Sequence, residues 1–257
     1  MKARSPSSST LKKRSKSASR ASEPSNWTKE SVLRELRSVA DPRVREKMAY
    51  FGVRVPHAHG ISAPVLHSFA KHIGKNHGLA LELWDSGIHE AKILAALIGE
   101  SEKVTAAEMD RWSRDFDSWD VVDSVCCYLY PNAKPAWDKV KSWSTRSEEF
   151  AKRAAFSLMA YLSYKDKEAP DARFRECLRI IEREARDDRN FVKKAVNWAL
   201  RNIGKRNLRL NADAIRAAEK IRQHETSSAR WIAADALREL QSPAVQARLR
   251  RKANTIK

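Results

Sequence analysis

From Trp27 onward the apolar residues recur at steps of three and four, as in Val32, Leu33, Leu36 and Val39, and no long stretch alternates apolar with polar residues. A chain patterned this way buries one stripe of each helix and has no face suited to a sheet, so the sequence predicts an all-α protein. With only 7 glycines in 257 residues, the breaks between helices must come from polar caps and prolines. Asp41-Pro42, Ser62-Ala63-Pro64 and the Thr105/Glu108 capping box are such starts, Gly74 marks an end, and further starts are expected near Ser147, Asp188, Asn211 and Thr226. The resulting helices should run about 10 to 16 residues.

Helix pairs are expected over residues 90–130, 135–163, 170–203 and 211–253, without a strict sequence period. This arrangement predicts an irregular α-solenoid of HEAT-like helix pairs, each burying a face against its neighbours and together leaving a concave groove; an ordinary helical bundle is the alternative. The hydrophobic fraction of 42% is sufficient for a real core. Residues 1–25 differ: Lys2, Arg4, Lys12, Lys13, Arg14, Lys16 and Arg20 lie among serines and are expected to form a disordered basic tail ahead of one repeat domain over 26–257.

Lys+Arg number 50 against 32 Asp+Glu, a net charge of +18, and removing the seven tail cations still leaves +11 for the rest. Such an excess calls for a polyanion, and a basic concave surface suits duplex DNA. No apolar run is long enough for a membrane span. Cys126, Cys127 and Cys177 have no metal-ligand or disulfide spacing, and the histidines at positions 57, 59, 67, 72, 77 and 89 fit no zinc pattern, so neither metal nor cofactor is expected. Nothing demands a partner subunit, and a cytoplasmic, DNA-associated monomer is the expectation.

Three segments carry candidate chemistry. In Asp117-Ser118-Trp119-Asp120-Val121-Val122-Asp123, Trp119 and Asp123 share a helical face beside a core stripe of Val122, Val125, Cys126 and Leu129. A carboxylate there opposes a DNA-attracting field and so requires a positive partner or substrate; core anchoring of Trp119 and an arginine pair for Asp123 is the plainer reading. In Phe150–Leu158, Arg153 stands one position off the apolar stripe, placed either to grip a phosphate or to pair with Glu149 or Asp123, with Lys152 beside it. In Phe191–Arg201, Lys194, Trp198 and Arg201 share a face able to combine cations with an aromatic platform, though taken alone a core tryptophan is the plainer reading.

Trp-Asp-x-x-Asp at Trp119 to Asp123, Arg-Ala-Ala at Arg153 to Ala155 and Lys-Ala-x-x-Trp-x-Leu-Arg at Lys194 to Arg201, in that order and separation, resemble the AlkD-like DNA alkylation repair glycosylases. Gly60-Ile61-Ser62-Ala63-Pro64 and Leu83-Trp84-Asp85 add to the likeness, which extends from about Arg43 to Arg238. The resemblance implies a stack of HEAT-like helix pairs around a basic groove. It also implies a monofunctional glycosylase that releases cationic alkylpurines, of the N3-methyladenine and N7-methylguanine type, from duplex DNA without pulling the base into a deep pocket. It would make Asp123 the catalytic carboxylate, flank the lesion's sugar with Trp119 and Trp198, and give Arg153 the backbone, with Lys152, Lys194 and Arg201 as further DNA contacts. The chain departs from the family pattern at Ser118, where a tryptophan is usual, at Ser62 and in its tail. Some branches of the family have no detected excision activity, so a non-catalytic binder of damaged or branched DNA is the alternative, and a protein-interaction scaffold a third reading.

Overall fold

The computed structural model describes residues 27–255, so the expected tail lies outside the described residues. Within them the chain forms helices and no strand: α1 (Lys29–Ser38), α2 (Pro42–Tyr50), α3 (Ala63–Ile73), α4 (His77–Trp84), α5 (His89–Ile98), α6 (Ala106–Arg114), α7 (Trp119–Ser124), α8 (Ala136–Trp143), α9 (Glu149–Lys165), α10 (Asp171–Glu184), α11 (Asn190–Gly204), α12 (Leu208–Arg222), α13 (Ser227–Leu240) and α14 (Pro243–Thr255). Polar caps start many of them, as expected. Side chains of Thr28, Asp41, Asn76, Thr105, Asn207 and Thr226 each accept a first-turn backbone N–H, and Pro42 and Pro64 sit just inside their helices. The Thr105 box is only half formed, because the Glu108 carboxylate turns away to His77 Nε2 at 3.2 Å.

Two of the expected pairs are triplets. Residues 90–130 hold α5, α6 and α7, and residues 211–253 hold α12, α13 and α14, because Ser118 and Pro243 each restart the chain within a run that reads as continuous apolar spacing.

The helices stack in two layers. Polar contacts link successive members of the inner layer across one repeat each: His89 to Asp120 (31 residues), Asp123 to Arg153 (30), Arg153 to Phe191 (38) and Asn197 to Asp235 (38). Helices α5, α7, α9, α11 and α13 are therefore equivalent positions of a repeat whose length changes from about 31 to 38 residues, which is why no constant period is visible in the sequence. The other layer is anchored by tryptophans. Trp84 and Trp112 stack with centroids 3.9 Å apart, and the indoles of Trp84 and Trp143 donate to Asp115 and Asp110, both at 3.0 Å. One hydrophobic core runs from Val32 to Leu240, with a satellite of Val53, Val55 and Ala58 packed by Met48 and Trp119.

Helix α9 lies deepest. Every residue from Ala151 to Ala160 is buried, where the apolar spacing alone had marked a single stripe, because α7, α8 and α11 enclose it. Its polar residues are thereby forced to find partners inside the protein.

Candidate active site

Helix α7 begins at Trp119 after an extended Ser118, and the chain widens into a π-helical turn at Val125–Leu129 immediately after Ser124. Such turns distort the ladder locally and concentrate at functional sites. Trp119 is pinned rather than free, since its indole N–H donates to Phe51 O at 3.1 Å and its ring packs on the Val53 satellite. The loop holding it comes from the end of α2 and reaches α11: Gly52, at φ +87°, lies so close to Phe191 that an added Cβ would stand 3.2 Å from that ring.

Four residues on, the Asp123 carboxylate accepts three hydrogen bonds from α9. Arg153 donates through Nε to Oδ1 at 3.2 Å and through Nη2 to Oδ2 at 2.7 Å, and the Ser157 hydroxyl donates to Oδ1 at 2.8 Å. The third guanidinium nitrogen, Nη1, donates to Phe191 O at 2.8 Å. Of the two partners left open by the sequence, Arg153 takes Asp123, while Glu149 instead accepts the Phe191 N–H at 3.3 Å. With Arg153 6% exposed and all its nitrogens engaged, the phosphate grip expected of it is not what this geometry supplies. It ties α7, α9 and α11 together under the carboxylate.

Ser157 and Tyr161 belong to none of the three sequence motifs as site residues, yet both stand at this carboxylate. Arg153, Ser157 and Tyr161 follow each other at steps of four, a polar ladder along one line of α9, and that spacing is a signal available in the sequence. Tyr161 meets Trp198 of α11 edge-on, with centroids 5.0 Å apart and planes at 84°. Burial pushes the Tyr161 phenol well above its ordinary range, reinforced by Cys127 and by the nearby Asp123 charge, so it stays protonated. Asp123, Tyr161 and Trp198 thus form one neighbourhood, whereas Trp119, one turn ahead of Asp123 on α7, packs against the Val53 satellite and Phe51.

The remaining expected contacts diverge. Lys194 is exposed. Arg201 is held between Asp235 and Glu239 on α13. Lys152 is buried between Glu184 at 2.6 Å and Asp187 at 3.0 Å, so its expected DNA contact is not available in this arrangement: desolvated and doubly paired, it fastens α9 to the end of α10.

Burial alone would raise the Asp187 carboxyl, but hydrogen bonds from Arg189 and Lys152 outweigh it and hold it at about 2, below its ordinary 3.8. A depressed carboxyl stabilises the fold above its unfolded value and loses that contribution as pH falls through its folded one. Wild type should therefore be more stable than Asp187→Asn at pH 7, with the gap in urea midpoints closing between about pH 4 and pH 2. A constant gap across that range would show that the Asp187 charge does not act on stability.

On the other side of α7 a cavity of about 530 Å³ is lined by Met48, Phe51, Leu66, Ile93, Trp119 and Tyr128. At its wall His89 and Asp120 pair at 3.0 Å. Burial opposes the His89 charge, yet the Asp120 hydrogen bond and charge, with Glu90 and Asp117, raise its pKa. Glu90 plays a separate role, because its buried carboxylate accepts the backbone N–H groups of His59, Gly60 and Ile61 and so fixes the turn ahead of α3. Gly60 is required there, since its φ is +81° and a Cβ would lie 2.3 Å from Asp41 O. Among the described residues no group of three histidine, cysteine or carboxylate side chains is placed to hold a metal ion, and no helix is long and apolar enough to cross a membrane.

Comparison with known proteins places this geometry. No curated protein matches the chain in sequence. A solved structure, described as a new family of proteins related to the HEAT-like repeat DNA glycosylases with affinity for branched DNA structures, superposes with a TM-score of 0.70 at 19% identity, covering 87% of this chain and 96% of its own. That likeness shows the fold, a HEAT-like helical repeat. The family model of the DNA alkylation repair enzymes matches residues 32–240, from α1 through the end of α13 and across every candidate residue above. The chain belongs to the DNA alkylation repair enzyme family.

Proposed function

We propose that this protein is a monofunctional DNA glycosylase that hydrolyses the N-glycosidic bond of cationic alkylated purines in duplex DNA. The observation that carries the reading is the Asp123 carboxylate, oriented by Arg153 and Ser157 and set beside the Tyr161–Trp198 aromatic pair. An N3- or N7-alkylated purine already carries positive charge and leaves as a neutral base when the C1′–N bond breaks. The demand on the protein is to stabilise the cationic sugar left behind, which a fixed carboxylate and electron-rich ring faces do electrostatically. Asp123 also orients the water whose oxygen bonds to C1′, and accepts the proton it sheds. Arg153 and Ser157 act as positioning residues, preventing the carboxylate from turning away. Trp119 and Trp198 supply the aromatic flanks, and Lys194 offers a backbone contact.

The test is chromatography of purines freed from methylated duplex DNA. Wild type is expected to release N3-methyladenine and N7-methylguanine. A second reading, a non-catalytic binder of damaged or branched DNA, is favoured by the occupancy of both Asp123 oxygens. Salt-dependent DNA binding with no base release would select it.

A further inference from the structure

Helices α9 and α11 run parallel: Arg153 meets Phe191, Tyr161 meets Trp198, and Arg206 just beyond α11 donates to Ser163 O at 2.9 Å, in the same order along both. Followed from the candidate site toward their C-termini, both lead into a second cavity of about 500 Å³, lined by Tyr164, Lys167, Lys205, Arg206, Arg248 and Lys252 together with small polar residues. Seven residues separate Ser157 from Tyr164 and Trp198 from Lys205, so the cavity lies about 10 Å farther along, at 1.5 Å per residue. That corresponds to about three base-pair steps of one DNA strand.

Five of its lining residues are cations and none is an acid. Glu239 bonds Lys205 from outside the cavity at 2.6 Å, and Arg206 spends its donors on the carbonyls of Ser163, Lys167 and Ala169. Among the described residues the Arg206 charge therefore remains without a carboxylate. Burial, then repulsion from Arg248 and Arg206, lowers the pKa of Lys252, as expected where like charges converge without a counterion. Two of the five cations come from α14. That helix anchors itself through Val245 and Leu249, carries Arg248, Arg250, Arg251 and Lys252 with no acid, and lies beyond the residues that match the family model.

We infer that this cavity is a phosphodiester-binding subsite, through which α14 holds the DNA backbone a few nucleotides from the sugar engaged at Asp123. The inference rests on the DNA reading above. Convergent cations in a concave site, all but Lys205 without a carboxylate among the described residues, select a phosphate oxygen over a neutral or cationic ligand, and Tyr164 and Asn202 add hydroxyl and amide groups.

The experiment measures binding of the full chain to undamaged duplex by fluorescence anisotropy across a salt series. The test variant is Arg248→Ala/Lys252→Ala, and the charge-matched control is Arg34→Ala/Arg37→Ala on exposed positions of α1. The slope of log K against log salt should become shallower by about two contacts in the test variant, with roughly tenfold or greater loss of affinity at 0.1 M salt. The control slope should stay at the wild-type value, and Arg248→Lys/Lys252→Arg should restore it. Calorimetry with inorganic phosphate supplies the other arm. If the test variant loses phosphate binding while its DNA slope is unchanged, the cavity takes a free anion and the backbone assignment is overturned. An unchanged slope alone overturns it too, while leaving the glycosylase reading standing. Wild type that binds no DNA overturns both.

Discussion

Replacing Asp123 with asparagine should reduce methylpurine release by at least about a hundredfold while duplex affinity holds or rises. The loss follows from removing the carboxylate that the proposed function sets against the cationic sugar; fixed electrostatic groups of this kind are worth roughly 10²–10³ in rate. The retained affinity follows from removing a charge that repels phosphate. The same change has a consequence for stability. The asparagine side chain could still accept one hydrogen bond, but its amide would set a donor against the Arg153 guanidinium, now without its counterion and nearly buried. The variant should therefore lose roughly 1–3 kcal/mol. Excision must be measured well below its melting temperature, with wild type alongside as reference. Full activity in Asp123→Asn would remove Asp123 from the chemistry.

Arg153→Ala should have the largest effect on stability of any single change at the site. It leaves the Asp123 carboxylate, 18% exposed, beside only the Ser157 hydroxyl, and it frees Phe191 O. Breaking a buried pair by removing one partner costs about 3–5 kcal/mol. In a protein of this size that corresponds to a fall of about 6 to 20 °C in Tm. The salt dependence of DNA binding distinguishes the two roles open to this residue. A phosphate contact would take about one unit off the slope. The internal role leaves the slope unchanged while stability and excision both fall. A variant that keeps wild-type Tm but loses one unit of slope would return Arg153 to the DNA backbone.

The sequence by itself determined what is local. The three-and-four spacing of apolar residues fixed helices rather than strands, because periodicity is a property of single segments. Asp41, Thr105 and Thr226 could be recognised as helix starts because a cap is satisfied within a few residues of itself. The four-residue spacing of Trp119 and Asp123 was legible for the same reason, though not that one packs on Phe51 and the other on Arg153, and the spaced motif blocks placed the chain among the alkylation repair proteins. Position along a helix, however, does not say how many neighbours enclose that helix. Only the packing of α7, α8 and α11 around α9 buried Lys152 and Arg153, directed one to Glu184 and Asp187 and the other to Asp123, and so turned two expected DNA contacts into internal ion pairs. The partners lie about 30 to 38 residues apart, and those offsets follow from a repeat whose length changes along the stack. Which residue meets which across it was decided by tertiary structure, because a buried charge takes whatever counterion the fold brings within reach.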